Sequence, residues 1–289
     1  MGPLTPILGA VAPAVAAALC AFALTAGAKC GTRPGLAHGV IALATGIGVA
    51  VGVVLILGAA TLQPRQTTDW IGYIAVLLPV IACIETMLFG QRSSRIVLRG
   101  AVTVAFVAFL LLPPIRNSWP WYSSVAWVAA IAALIVVMWE LHDSSARRDN
   151  SALPAAILLI ALTGGSIVMV LGGSAKLAQL AGAVVSAFGG IAALTWLNPR
   201  RFPVAGAIAV AWPASTFIWL LGHIYSEAPL VPLCLVLAAS SASVAQRMQW
   251  LRQRAAWQRF FVCALASSVL AAAAVLLAYR SYESSDYGY

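Results

Sequence analysis

Apolar runs of about 20 residues, each long enough to cross a bilayer as a helix, recur along this chain between short polar breaks. They cover 4–27, 37–60, 70–90, 96–113, 122–141, 153–172, 176–196, 203–224, 229–246 and 259–279. The short alternating segments of a membrane β-barrel are not the pattern here. The reading is an all-α integral membrane protein of about ten transmembrane helices, forming a single polytopic domain over 1–289. The runs 96–113 and 229–246 lie near the minimum spanning length. The most polar run, Glu140 to Ser151, stands near the middle with about five spans on either side. Read as a connection, loop 142–151 joins a half 1–141 to a half 152–289.

Five spans per half is an odd number, so a duplicated second half would insert upside down, as in transporters built from inverted repeats. GYIAVLLP at 72–79 matches GAIAVAWP at 206–213 in the third span of each half. The same offset sets Gly48 on Gly182 and Gly52 on Ser186, but it fails in the first span of each half. In the duplication reading, Pro79 and Pro213 are paired helix interruptions that free a carbonyl near a midplane site. In the plainer reading they are kinks that membrane helices tolerate.

Charge then sets orientation. Only 9% of residues are charged, against about 25% in soluble domains. The net charge of +9 therefore reads as topology information and not as affinity for nucleic acid. One set of loops holds 13 of the 17 Lys and Arg, and the other set, with both termini, holds Arg65, Arg116, Lys176 and Arg280. The bias predicts both termini outside and the central loop in the cytoplasm, in the inner (plasma) membrane of a cell. MGPLTPILGA has no basic residue, so the first run reads as a retained span and not as a cleaved signal. Tyr and Trp fall near the span ends as interfacial belts.

Small residues mark helix contacts. Gly48 and Gly52 form a GxxxG, and Gly182, Ser186 and Gly190 repeat the spacing. Packing within the chain and homo-oligomerisation both use such seams. The five cysteines make neither a disulfide framework nor a CxxC site, and no metal or cofactor is implied.

Ionisable residues inside spans are costly and are the first candidates for function. Glu85 lies in the third span, and Arg95 and Arg99 enter the fourth from the same side, one turn apart. Either Glu85 is a proton or cation site gated by Arg99, or the two form a structural ion pair with the arginines reaching toward the cytoplasm. His223 and Glu227 form an outer-side polar pair at the end of the eighth span, with Tyr225 between them. Trp212 and Trp219, seven apart around Pro213, share a helix face and either line a cavity or fill the core. Glu140, His142 and Asp143 beside Arg147 and Arg148 read as a loop ion-pair set, with His142 and His38 interfacial and alone. The Arg247–Arg259 loop, with Trp250 and Trp257, is a candidate seat for anionic lipid beyond the surrounding bilayer.

The chain has no HExxH, aspartate-rich pair, GxSxG or P-loop, so it is not read as an enzyme. Ten spans split five and five resemble drug/metabolite-type permeases in size. Outside termini around a cytoplasmic centre resemble auxin-efflux-type carriers. Both likenesses are of architecture alone, since no motif of either family is present. The expectation is a small-solute permease, with a non-catalytic subunit or scaffold of a larger membrane complex as its rival and an intramembrane enzyme third.

Overall fold

The structure, a computed structural model, describes residues 5–27, 34–58, 67–88, 91–149 and 153–286. Every element among them is helical. α1 (Thr5–Gly27) and α2 (Pro34–Leu57) precede a 3₁₀ turn, Thr67–Trp70, that runs into α3 (Ile71–Leu88). α4 (Arg92–Leu110) gives way at Leu111 to the short α5 (Leu112–Asn117). Pro113 and Pro114 sit in the first turn of α5, where a missing N–H costs nothing, and they could not continue α4. α6 (Trp121–Asp149), α7 (Leu153–Leu171), α8 (Ala175–Leu197), α9 (Val204–Tyr225) and α10 (Leu230–Ser241) follow. A 3₁₀ turn, Ala242–Arg247, and α11 (Gln249–Arg252) lead to α12 (Ala256–Asp286).

Among the described residues, seven helices are long and apolar enough to cross a membrane: α2, α4, α6, α7, α8, α9 and α12. Three shorter apolar helices, α1, α3 and α10, accompany them. Hydropathy misplaces two boundaries. Residues 142–149, expected as a loop, continue α6 as helix; residues 150–152 lie outside the described residues. Polar side chains end an apolar run, but they do not end a helix when an i,i+4 pair such as Asp143–Arg147 supports the next turn. The run 229–246 is helical only to Ser241 and tightens to 3₁₀ beyond it.

α9 is the axis of the fold. Every residue from Val204 to Trp219 is buried, and the helix is apolar on all sides, as a fully enclosed helix must be. It packs against α2, α3, α6 and α8. Gly206 lets it approach α2 so closely that a methyl group there would overlap the His38 carbonyl.

The small-residue seam forms within the chain. Gly48 faces Pro13 and Ala17 of α1 and Ala187 of α8, and Gly52 faces Ala183. Ser186 donates a hydrogen bond to the Ala10 carbonyl, and Gly190 lies against the Ala14 backbone. Gly182 stands apart from this seam, with Ser166 Oγ 4.0 Å from where its Cβ would be.

The two halves share some neighbours, α1 with α2 as α7 with α8, α2 with α3 as α8 with α9, and α4 with α6 as α10 with α12, but not all. α1 lies along α8 and α7 lies along α12, whereas α7 with α2 and α1 with α6, the pairs a two-fold axis would generate, make no comparable contact among the described residues. The match between 72–79 and 206–213 is thus accompanied by matched packing only in part.

Helix ends sort into two groups. Arg99–Glu85 ties the start of α4 to the end of α3, Arg201 Nε–Thr25 Oγ1 ties the α8–α9 link to the end of α1, and Trp196 meets Phe260 between α8 and α12. At the opposite end, Lys176 pairs with Asp69 and Tyr225 bonds to the Leu110 carbonyl.

Candidate functional site

Two constructions stand out, one polar and one apolar. The polar one is centred on Arg99, which enters α4 two turns from its start and has 0% of its side chain exposed. Its Nη2 and Nε donate to the two oxygens of Glu85 on α3, at 2.5 and 3.0 Å. Nη1 donates to Glu140 at 2.9 Å and Nη2 also to Asp143 at 2.9 Å, both on α6. The guanidinium lies over the Trp139 ring, 5.0 Å from its centre.

An outer ring of arginines balances the three carboxylates. Arg92 bonds to Glu140 at 2.8 Å, Arg147 to Asp143 at 2.9 Å, and Arg95 approaches Asp143 at 3.6 Å. Glu85 and Arg99 are therefore brought together as expected. Two expectations are corrected. Arg99 does not reach toward solvent, because three carboxylates satisfy it inside; Arg92, 64% exposed, is the arginine that does. Glu140 and Asp143 are not loop residues but the α6 side of this cluster.

His142 is also corrected from interfacial to buried. It packs edge-on against Trp212 with centres 4.5 Å apart, and its Nε2 has no hydrogen-bond partner among the described residues. Trp212 and Trp219 meet in a T-shaped contact at 6.1 Å. Both indoles line the apolar construction, a pocket of about 490 Å³ between α6, α9 and α10. That size is within the usual range for ligand pockets, roughly 300–1,000 Å³.

Trp119 and Trp127 face the two α9 indoles from the α6 side, and Leu230, Leu233 and Leu237 close the pocket from α10. Of its polar atoms, the buried Trp219 Nε1 has no hydrogen-bond partner among the described residues, while others are engaged with backbone. Thr216 Oγ1 donates to the carbonyls of Trp212 and Pro213 at 3.2 and 3.0 Å, taking up acceptors beside the proline break. His223 Nδ1 lies 2.8 Å from the Ala228 carbonyl. Glu227, expected beside His223, is exposed and has a left-handed backbone, φ 55°, so the outer-side pair does not close.

The two prolines take different places, and neither lines the pocket. Pro213 is buried within α9. Pro79 sits in the notch left by Gly46 of α2, where a methyl group would overlap its ring. Of the basic loop, the side chains of Arg247, Trp250 and Arg252 lie outside the described residues, as do Lys29, Cys30, Arg33 and Arg65. Arg254 and Trp257 border a shallow pocket of about 270 Å³.

Hydropathy reasoning missed Glu140, Asp143, Trp119 and Trp127 as site residues. The first two carried a signal: with Arg147 they follow a 3–4 spacing on one helix face. Trp119 reads as part of an interfacial belt and hydropathy gives Trp127 no role, and nothing local distinguishes a ring facing headgroups from one facing a cavity.

These features define a polytopic helical membrane protein with a buried ionic clamp and an apolar pocket. The sequence matches no protein-family model, no curated protein and no solved structure.

Proposed function

We propose that the protein is a small permease of the inner membrane whose solute is apolar and is held between α6, α9 and α10. In this reading all ten apolar helices span the bilayer, both termini lie outside, and the α6–α7 connection is cytoplasmic. The observation that carries it is the aromatic and aliphatic lining of the 490 Å³ pocket, in which Thr216 Oγ1 and His223 Nδ1 already engage backbone carbonyls and Trp219 Nε1 is the buried donor without a partner among the described residues. A hydrophilic solute would lose most of its hydration there with few groups to replace it, at several kcal/mol for each unmade hydrogen bond. Glu85, held at both oxygens, acts as part of a fixed clamp that braces α3, α4 and α6 beside the moving solute.

The test is quenching of tryptophan fluorescence by a brominated alkane in detergent. Saturable quenching, abolished by the pocket-filling pair Ile135→Phe and Leu233→Phe, supports the reading; linear quenching indifferent to both removes it. Protein-dependent efflux of the bound compound from proteoliposomes then tests transport.

A second reading, a non-catalytic subunit of a larger complex, is favoured by the polar cluster, whose members are occupied with each other and offer nothing to a solute. Purification under mild detergent separates the two: a permease runs alone or as a homo-oligomer, a subunit runs with other chains.

A further inference from the structure

Leu230 stands in the walls of two cavities at once. The second, about 510 Å³, lies between the start of α10 and the end of α12. The chemistry of the two differs. The first has no charged residue in its lining. The second combines Val231, Pro232 and Leu277 with Arg280, Ser281 and Ser284.

Arg280 is exposed and makes no ion pair among the described residues. The nearest acid on its own helix, Glu283, is hydrogen-bonded to Tyr279. Ser281 and Ser284 donate their hydroxyl protons to the Leu277 and Ser281 carbonyls, at 3.1 and 2.9 Å. Arg280 is therefore the group in this cavity with charged donors to spare.

We propose that the two cavities form one site for a membrane lipid with an anionic head. One hydrocarbon chain occupies the pocket between α6, α9 and α10, the linkage to the head passes over Leu230, and the phosphate rests on Arg280. This rests on the apolar-solute reading of the pocket and names its ligand class.

Two observations favour a lipid over a free hydrophobe. The first is access: α6 and α10 make few contacts with each other. The pocket residues Trp127, Leu134 and Leu230 along that gap are 54%, 49% and 54% exposed, on apolar helix faces that a bilayer covers. A chain enters sideways without crossing water. The second is charge complementarity, since a free hydrocarbon has no use for Arg280 whereas a phosphodiester does. With a single cation contributing, the preference for an anionic over a zwitterionic head is modest, roughly fivefold.

The experiment uses the full chain in phosphatidylcholine nanodiscs, doped with phosphatidylglycerol or phosphatidylcholine carrying a diazirine at the chain end. Crosslinks are mapped by peptide mass spectrometry. Labelling of Leu134, Leu233 or Leu237 is expected, with half-saturation by phosphatidylglycerol at about one third of the mole fraction needed for phosphatidylcholine, the ratio a roughly fivefold preference gives against the phosphatidylcholine background. Arg280→Gln should raise that value to the phosphatidylcholine level with an unchanged melting temperature, since the side chain is exposed and unpaired. Glycerol 3-phosphate should not compete.

Equal half-saturation for the two lipids, or no effect of Arg280→Gln, overturns the head assignment and leaves the apolar pocket standing. Competition by glycerol 3-phosphate overturns it in favour of a soluble phosphate ligand. If neither lipid labels the pocket while the brominated alkane still saturates, the lipid proposal fails alone. If the alkane also fails, the pocket reading falls first.

Discussion

Arg99 grips Glu85 through both carboxylate oxygens, Nη2 to Oε1 and Nε to Oε2, with neither side chain in contact with solvent. The same guanidinium reaches Glu140 and Asp143, so one side chain joins α3, α4 and α6. A lone arginine in this position would carry a large desolvation cost. Three acceptors and a ring face offset it, and the planar five-donor fork is what allows one cation to serve them all.

Arg99→Leu should therefore lower stability by about 3–5 kcal/mol, because it leaves buried Glu85 without its counter-charge while Glu140 and Asp143 keep only the outer arginines. Arg99→Lys should recover little of the loss, since a compact ammonium cannot match Glu85 in two places and still reach α6. The double variant Arg99→Leu with Glu85→Leu should be more stable than Arg99→Leu alone. Thermal melting in detergent reads all three. Full stability of Arg99→Lys would show that the pairing geometry contributes nothing beyond charge.

The small-residue seam makes a prediction of opposite signs. At Gly52 an added Cβ would overlap Ala183 of α8, whereas at Gly182 the nearest atom is Ser166 Oγ at 4.0 Å. Gly52→Ala should destabilise the α1–α2–α8 packing by about 1–3 kcal/mol. Gly182→Ala should be neutral or stabilising by up to about 1 kcal/mol, because alanine is the better helix former and the space is open. Melting temperatures that move in the same direction would refute the seam as described.

These two glycines show what the sequence could and could not carry. Spacing of four singled out Gly48, Gly52 and Ser186, which meet neighbouring helices, but also Gly182, which does not, because which positions meet a neighbour depends on helix rotation, a tertiary property. The Glu85–Arg99 pair was legible because the two lie in consecutive antiparallel helices entering from the same side. Glu140 and Asp143 were hidden because hydropathy reports where lipid contact ends, and α6 continues past that point. Trp212 and Trp219 were legible by their distance from either interface. Trp119, close to an interface, and Trp127, with nothing to single it out, were not.

His142 should tolerate replacement by phenylalanine. Its ring packs against Trp212, and its Nε2 lacks a partner among the described residues. His142→Phe keeps the aromatic contact and removes a buried polar atom, so stability should hold or rise by about 1 kcal/mol. His142→Ala should lose about 2–4 kcal/mol through the cavity it leaves beside Trp212. A marked loss of stability in His142→Phe would point instead to a hydrogen bond made through bound water.

The pocket can also be closed from behind, without touching a residue that lines it. Gly165 of α7 lies against the Cζ2, Cε2 and Nε1 edge of Trp219, so closely that a methyl group at 165 would overlap all three atoms. α7 is held by α8, α10 and α12 and cannot retreat far. Trp212 is fixed as well, by its Nε1 bond to the Ile135 carbonyl at 3.3 Å and by His142. The Trp219 ring can then yield only into the pocket, the nearest open space. Gly165→Ala should cost about 1–3 kcal/mol in stability. It should also raise the half-saturation for the brominated alkane at least tenfold, while the neighbouring Gly164→Ala, which meets only Ala271 of α12, leaves binding unchanged. Equal binding in both variants would mean that the Trp219 ring finds another way to move and that the pocket does not depend on its position.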